Sequence, residues 1–393
     1  MKIMVSVCKS PSQLSLFARP AAQLAVPPVI DQALRQGGAL ALSISGGKDS
    51  HAMLAKVLPW FRAQGYPGRV FAIHADLGRA EWPQTPAFVE ELARRYDVDL
   101  VIVRRQKGDL VARIEERLLK VQEAARRRRE QLVSLWAEMG GVGPVPEVPA
   151  APFWPSSDSR YCTSHLKGAP IDAALRKPAV FWPDADNRYC TSDQKRGPID
   201  TSLRRCEVVI SVEGVRHDES PDRATKPVVE IRPSITAKST VPGRPNLAGM
   251  TPEAALKARK PGQRVALNWR PLAGWNTEEV WEACGTSVAE LAQRQYKYAA
   301  GQHAEALAGW VGHPAYVMGN TRLSCALCVF GSKGDLLNGA QANPQLYGHL
   351  IRLEIIGGST FKNGWSLAEL PVTGEAARER EAALSWKEVA LAA

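Results

Sequence analysis

The stretch Ala39-Leu-Ala-Leu-Ser-Ile-Ser45-Gly46-Gly47-Lys48-Asp49-Ser50-His51-Ala-Met-Leu-Ala-Lys56 reads as an apolar strand, a glycine turn and the opening of an amphipathic helix. A buried parallel strand that runs through two glycines into a helix leaves backbone N–H groups pointing outward, where the helix dipole favours an anion. Gly46 and Gly47 let a phosphate come close to the backbone. Ser45 and Ser50 add hydroxyls and Lys48 adds a positive charge. Asp49 sits where it can cap the helix or help hold a metal ion beside phosphate. The stretch is therefore read as a nucleotide site. Its spacing is not Gly-x4-Gly-Lys-Ser/Thr, so the P-loop NTPase pattern is excluded.

Composition sets bounds around this site. The 393 residues suffice for a full core, as two to three domains or one α/β domain with additions. No apolar run is long enough to span a bilayer, and no basic-then-apolar leader opens the chain. A cytoplasmic protein without a membrane association is expected. Seven cysteines, an odd number, argue against a disulfide framework and for metal, cluster or redox use of some of them. A net charge of +10 suits a polyanionic partner, either nucleic acid or the nucleotide itself.

Reading outward, residues 1–28 form a leader with Pro27-Pro28 at its end. A second buried strand, Arg69-Val-Phe-Ala-Ile-His74-Ala-Asp76, places His74 and Asp76 at its C-terminal end, the edge where open α/β sheets bind ligands. A helix from Thr85 to Tyr96 and a strand from Asp99 to Val103 complete a βαβαβ series. The expected fold is α/β, a doubly wound parallel sheet, with helical additions and a C-terminal Cys-x-x-Cys segment. Residues 29–235 form the nucleotide-binding domain. Residues 109–139 form a long charged helix carrying Arg126-Arg-Arg-Arg129, for which a solvated face and a nucleic-acid contact are equally good accounts.

A duplication follows at 153–204: Phe153-Trp-Pro-x-x-Asp-x-Arg160-Tyr-Cys162-Thr-Ser recurs as Phe181-Trp-Pro-x-x-Asp-x-Arg188-Tyr-Cys190-Thr-Ser, each copy continuing to a lysine, Lys167 or Lys195. The second copy is favoured as the active one because it leads directly into a core strand, Glu207 to Val212. That strand delivers Arg216, Glu219 and Arg223 to the same sheet edge, and paired arginines suit phosphate or sulfate. Residues 236–267 read as a basic loop or lid. Residues 268–393 read as a C-terminal helical region containing Cys325-Ala-Leu-Cys328, which is a zinc half-site, a redox pair or two ligands of an iron–sulfur cluster.

Ser45-Gly-Gly-Lys-Asp-Ser50 resembles the PP-loop of the ATP pyrophosphatases. With Arg188-Tyr-Cys190-Thr-x-x-x-Lys195-x-x-Pro198, Gly214-Val-Arg216-x-x-Glu219-Ser-x-x-Arg223 and Pro271-Leu-x-x-Trp275-x-x-x-x-Val-Trp281, taken in that order, the chain resembles the phosphoadenosine-phosphosulfate (PAPS) reductase family of that superfamily. The resemblance spans roughly residues 40–330. It departs from the true reductases, since no Glu-Cys-Gly-x-His motif follows Cys328 and the loop keeps the ATP-cleaving form. The ATP-using relatives, some of which place sulfur in tRNA or DNA, are the better match.

The resemblance implies ATP and Mg2+ as cofactors, cleavage to AMP and pyrophosphate, and adenylation of an acceptor for sulfur transfer to a nucleic acid. Ser45, Gly46, Gly47 and Ser50 would hold phosphates, Lys48 would offset developing charge, and Asp49 and Asp76 would contact metal or water, with His74 beside them. Arg216 and Arg223 would grip the far phosphates or the acceptor, oriented by Glu219. Lys195 would lower the pKa of the Cys190 thiol or position an anion. A [4Fe–4S] cluster on Cys325 and Cys328 with Cys190 or Cys162, or with both, a zinc ion and no metal at all stand as alternatives. tRNA or DNA and a sulfur donor protein are the expected partners. Reduction of PAPS or adenylylsulfate is the rival enzymatic reading, and a nucleotide-sensing or nucleic-acid-binding subunit is the rival of another class.

Overall fold

The computed structural model describes residues 22–138, 140, 143, 181–184, 187–239, 245–362 and 364–392. The first copy of the duplicated segment, with Cys162, lies outside the described residues.

Six strands make one sheet: β1 (Ala39–Ser43), β2 (Val70–Ala75), β3 (Leu100–Val103), β4 (Val208–Val212), β5 (Val229–Ile231) and β6 (Val265–Trp269), in the order β3-β2-β1-β4-β6-β5. Every pairing is parallel except β5 with β6. The two-residue period of a strand sorts β1 cleanly. Leu40 and Leu42 enter the core formed with α1 (Pro28–Arg35), α2 (Lys48–Ala63) and α3 (Thr85–Arg95), while Ala39 and Ala41 face the opposite layer. There Leu203 of α5 (Gly197–Leu203) packs with Phe71, Ile73 and Val209. Both faces are covered, as a parallel sheet requires. Leu40 and Leu42 are fully buried, so truncating either to alanine would cost about 2–5 kcal/mol.

From β1 the chain builds outward to β2 and β3, and from β4 to β6 on the other side. The connections after β1 and β4 therefore diverge and open a crevice at their C-terminal ends. The glycine turn follows β1, and Glu213 to Arg223 follow β4.

A second hydrophobic cluster lies beside the sheet. The inner half of α4 (Leu110–Glu138) contributes Leu110, Ile114 and Leu118, and the second copy of the duplication contributes Phe181, Trp182 and Tyr189. Four C-terminal elements close it: the Cys-x-x-Cys loop, α9 (Lys333–Ala342), α10 (Pro344–Gly357) and α11 (Gly374–Ala392), which follow α6 (Pro252–Ala258), α7 (Thr277–Ala283) and α8 (Val288–Ala299).

One stretch differs from the sequence expectation. The basic segment 236–267 carries α6 and the start of β6. Thr251 caps α6 by accepting the Ala254 N–H, Pro252 opens it, and Ala255 and Leu256 are buried. With seven residues and two buried positions, the helix leaves too short a periodicity to read through its lysines and arginines. On α4, Arg126 and Arg127 pair with Glu130 and Glu123 on the same helix face, all of them exposed. This is the pattern of a solvated helix.

Burial pushes the pKa of both His51 and His313 down to about 4, with the Arg95 charge adding to the effect at His51. Their unfolded values lie near ~6.5, so the unfolded chain binds more protons between these limits and stability falls as pH drops through that window. The expected loss is up to about 1.4 kcal/mol per pH unit for each histidine. Urea midpoints of the native chain should therefore fall more steeply below pH ~6.5 than those of His51→Gln and His313→Gln variants. Equal slopes would show that neither imidazole is held neutral by the fold.

Candidate nucleotide site and thiol cavity

After β1 the chain passes through Ile44 and Ser45 to Gly46, whose φ of +76° places it in the left-handed region that glycine tolerates. Gly47 is the N-cap of α2, with no side-chain cap, so this helix end offers backbone dipoles to an anion. The turn is tied by Ser50, whose hydroxyl donates to the Gly47 carbonyl (2.9 Å) and accepts the Ser45 N–H (3.3 Å). Gly46, Gly47 and Lys48 are buried, while Ser45 faces solvent.

Asp49 is held between two cations. Lys48 Nζ lies 2.9 Å from one carboxylate oxygen and Arg216 Nε 2.6 Å from the other. The Arg216 side chain is 3% exposed. It also donates to Asp218 (2.6 Å), the Trp275 carbonyl (3.2 Å) and Thr277 Oγ1 (3.4 Å). Burial, the largest single influence, would lower the guanidinium pKa, but the charge and hydrogen bond of Asp49 with the charges of Asp218 and Glu219 together outweigh it, and the net shift is upward. The guanidinium is thus engaged with the loop after β1 through Asp49. Glu219 accepts the Arg216 backbone N–H (3.1 Å) and pairs with Arg223, whose side chain is part exposed. Gly214 makes the approach feasible, because a Cβ there would lie 2.9 Å from the Asp49 carbonyl carbon.

His74 and Asp76 occupy the end of β2 and the residue after it. The Asp76 carboxylate accepts the Gly78 N–H (2.7 Å) and pairs with Arg104 (2.6 Å). His74 Nδ1 lies 3.0 Å from the Ile44 carbonyl and Nε2 3.5 Å from Glu81. Burial, the largest single influence, pulls the imidazole pKa down, but the Glu81 carboxylate, the Ile44 carbonyl and the Asp76 charge together outweigh it, and the net shift is upward. Asp49 and Asp76 are thus both engaged by arginines, and among the described residues no group of three or more His, Cys, Asp or Glu side chains is arranged to hold a metal ion. Magnesium fits here as an ion carried in on the phosphates, where one or two carboxylates and water complete its shell.

Cys190, Cys325 and Cys328 line one apolar cavity of about 40 Å³, walled by Leu110, Ile114, Leu327 and Phe361. Cys190 is brought there by Gln194, buried and donating to the Asp109 carbonyl (3.1 Å), and by Tyr189, whose hydroxyl donates to the Phe181 carbonyl (2.6 Å). Cys325 and Cys328 are placed by Gly339 of α9, where a Cβ would stand 1.9 Å from the Ala326 carbonyl oxygen. Soft thiolate donors suit iron. As placed, however, the three do not converge as a ligand set. The electrostatic balance at Cys190 also differs from expectation. Lys195 favours the thiolate, but burial dominates and raises the thiol pKa. Burial likewise pushes Cys325 up to about 12.

Sequence reasoning passed over two residues that join these features. Glu81 faces His74 and also acts on Cys325. Tyr316, 2% exposed, accepts the Lys48 N–H at its hydroxyl (3.1 Å) and stacks edge-on to Trp281. The segment His313 to Cys328 thus covers the loop after β1 and supplies two of the three thiols.

Two outcomes follow. Gly214→Ala should cost about 1–3 kcal/mol of stability by overpacking and should weaken nucleotide binding, read by urea unfolding and by calorimetry with ATP. Unchanged binding would separate Gly214 from the loop. In the native chain Cys325 and Cys284, both pushed up to about 12 chiefly by burial, should carboxymethylate at least about tenfold more slowly than in the denatured chain at mildly alkaline pH, as read by peptide mass spectrometry.

A PP-loop domain model matches residues 17–143, and a phosphoadenosine phosphosulfate reductase domain model matches residues 163–296. No match was found among curated proteins. The first of these models contains the glycine turn and the second contains Cys190, Lys195 and Arg216. On its six-stranded sheet the chain therefore carries both a PP-loop domain and a PAPS reductase domain.

Proposed function

We propose that this chain cleaves ATP to AMP and pyrophosphate to adenylate an acceptor oxygen, and then transfers sulfur to that acceptor, a nucleic acid. The observation that carries the reading is the segment His313 to Cys328, which touches Lys48 through Tyr316 and lines the thiol cavity with Cys325 and Cys328. A phosphate loop and a set of thiols joined by one short segment suit two reactions performed in sequence on one substrate.

In the first reaction the acceptor oxygen attacks the α-phosphorus, the bond to the β-phosphate breaks, and pyrophosphate leaves with its electron pair. The N-terminus of α2 and Lys48 stabilise the charge that develops. Asp49, held by Arg216, fixes where the Lys48 ammonium stands. In the second reaction a hydrosulfide bonds to the atom that bore the oxygen, and AMP departs carrying that oxygen. Adenylation has made a poor leaving group into a good one. The low-dielectric thiol cavity suits retention of a soft sulfur species supplied by a donor protein.

A second reading is favoured by the reductase-domain match over Cys190 and Lys195: reduction of PAPS or adenylylsulfate with the thiols as electron source. Full-length chain purified without oxygen and given magnesium with labelled ATP, or separately PAPS, with and without bulk tRNA and DNA, separates the two. The expected result is AMP and pyrophosphate in amounts raised by nucleic acid, with Asp49→Ala lowering turnover by about 10²–10³. Sulfite from PAPS with ATP untouched would overturn the adenylation reading.

A further inference from the structure

The sequence offers Arg126 to Arg129 as its most basic run, yet two of those arginines are matched on the same helix face by Glu123 and Glu130. The loop that bears the thiols is different. Arg188 lies over the Phe330 ring (4.7 Å to its centroid), Lys333 lies over Trp365 (5.2 Å), and Lys362 donates to the Gly331 carbonyl. Lys195 acts on both Cys190 and Cys325. None of these four cations forms an ion pair with a carboxylate among the described residues. Arg188 and Lys333 are exposed. A guanidinium laid on an aromatic face keeps its in-plane N–H donors free, and its freedom is already reduced before a phosphate arrives. The four cations surround one short loop, so their charges add at the rim of the thiol cavity, where acceptor and sulfur must meet.

We infer that the rim of the thiol cavity, built from Arg188, Lys195, Lys333 and Lys362 with Phe330 and Trp365, is the surface on which a nucleic-acid strand docks through its phosphodiester backbone. The inference rests on the sulfur-transfer reading above and gives its acceptor a place. Phosphate contacts fix register and orientation, and cations interleaved with half-exposed rings suit a strand whose bases are accessible. The basic run on α4 is not part of this surface.

The test compares two variants of equal charge change in the full-length chain, Arg188→Gln/Lys333→Gln at the rim and Arg126→Gln/Arg127→Gln on α4. Each is titrated with bulk tRNA and with duplex DNA over a range of salt concentrations. The rim variant should lose about tenfold or more in affinity for the preferred nucleic acid, and its salt slope should be shallower by roughly 1.4–1.8, as for two lost phosphate contacts. The α4 variant should stay within about twofold of the native chain. Arg188→Lys with Lys333→Arg, which keeps both charges, should restore most of the affinity. The arm that binds more tightly, tRNA or DNA, identifies the source of the backbone. Equal affinities for the rim variant and the native chain, or an equal loss in the α4 variant, would overturn the inference. So would a native chain that binds neither nucleic acid. ATP cleavage without added nucleic acid, assayed alongside, reports on the adenylation reading separately.

Discussion

The structure turns on the contact between Asp49 and Arg216. It joins the loop after β1 to the loop after β4 across the point where the strand order reverses, with Arg216 buried and Asp49 part-buried. Removing one partner of a fully buried pair costs about 3–5 kcal/mol, and this part-buried pair, each member of which keeps other partners, falls below that. The pair is supported on every side: Lys48 shares Asp49, Asp218 and the Trp275 carbonyl share Arg216, and Gly214 gives up its side chain so the two loops can meet. The uncapped end of α2 is thereby presented at a fixed place in the crevice. Lys48 is the cation of that arrangement, and Asp49 is its tether.

The thiol cavity belongs to a second core that the sheet does not build. It is assembled from α4, the repeated segment around Cys190 and the C-terminal helices, and it reaches the nucleotide loop through two bridges. One is the His313 to Cys328 segment, and the other is the Glu81 to His74 contact beneath it. Because Nδ1 of His74 faces a carbonyl and Nε2 faces a carboxylate, the imidazole can satisfy both only as a donor at both nitrogens. That is why Glu81 and the Ile44 carbonyl, with the Asp76 charge, together outweigh burial at this residue. At Cys325, whose neighbours are largely apolar, the Lys195 charge opposes burial without overcoming it.

What the sequence revealed was local. The strand, turn and helix at 39–56 announce themselves because periodicity, glycines and hydroxyls all fall within one supersecondary unit. The three strands that follow are legible for the same reason. The partners of that turn are not legible, since Tyr316 meets Lys48 across 268 residues and nothing near Tyr316 marks it as anything but an aromatic core residue. Glu81 is a lone carboxylate in a turn, without a spacing that ties it to His74. Arg216 was visible as a charged group at the sheet edge, but its direction was not, because Asp49, Asp218 and Thr277 surround it only after folding. Likewise α6 is hidden by the lysines and arginines around its two buried residues, and capping by Thr251 is its one local signal.

The antiparallel strand β5 has a further consequence for how the molecule behaves among its neighbours. A parallel sheet that ended at β6 would present an open row of backbone donors and acceptors to any passing strand. Instead a three-residue strand, with Pro227 two positions before it and Pro233 two positions after it, occupies that margin. Its neighbours Arg232 and Arg270 form charged contacts with Asp200, Glu213 and Glu230 at the same border. Short length, flanking prolines and fixed charge each discourage strand addition, so the chain carries its own protection against edge-to-edge aggregation on that side.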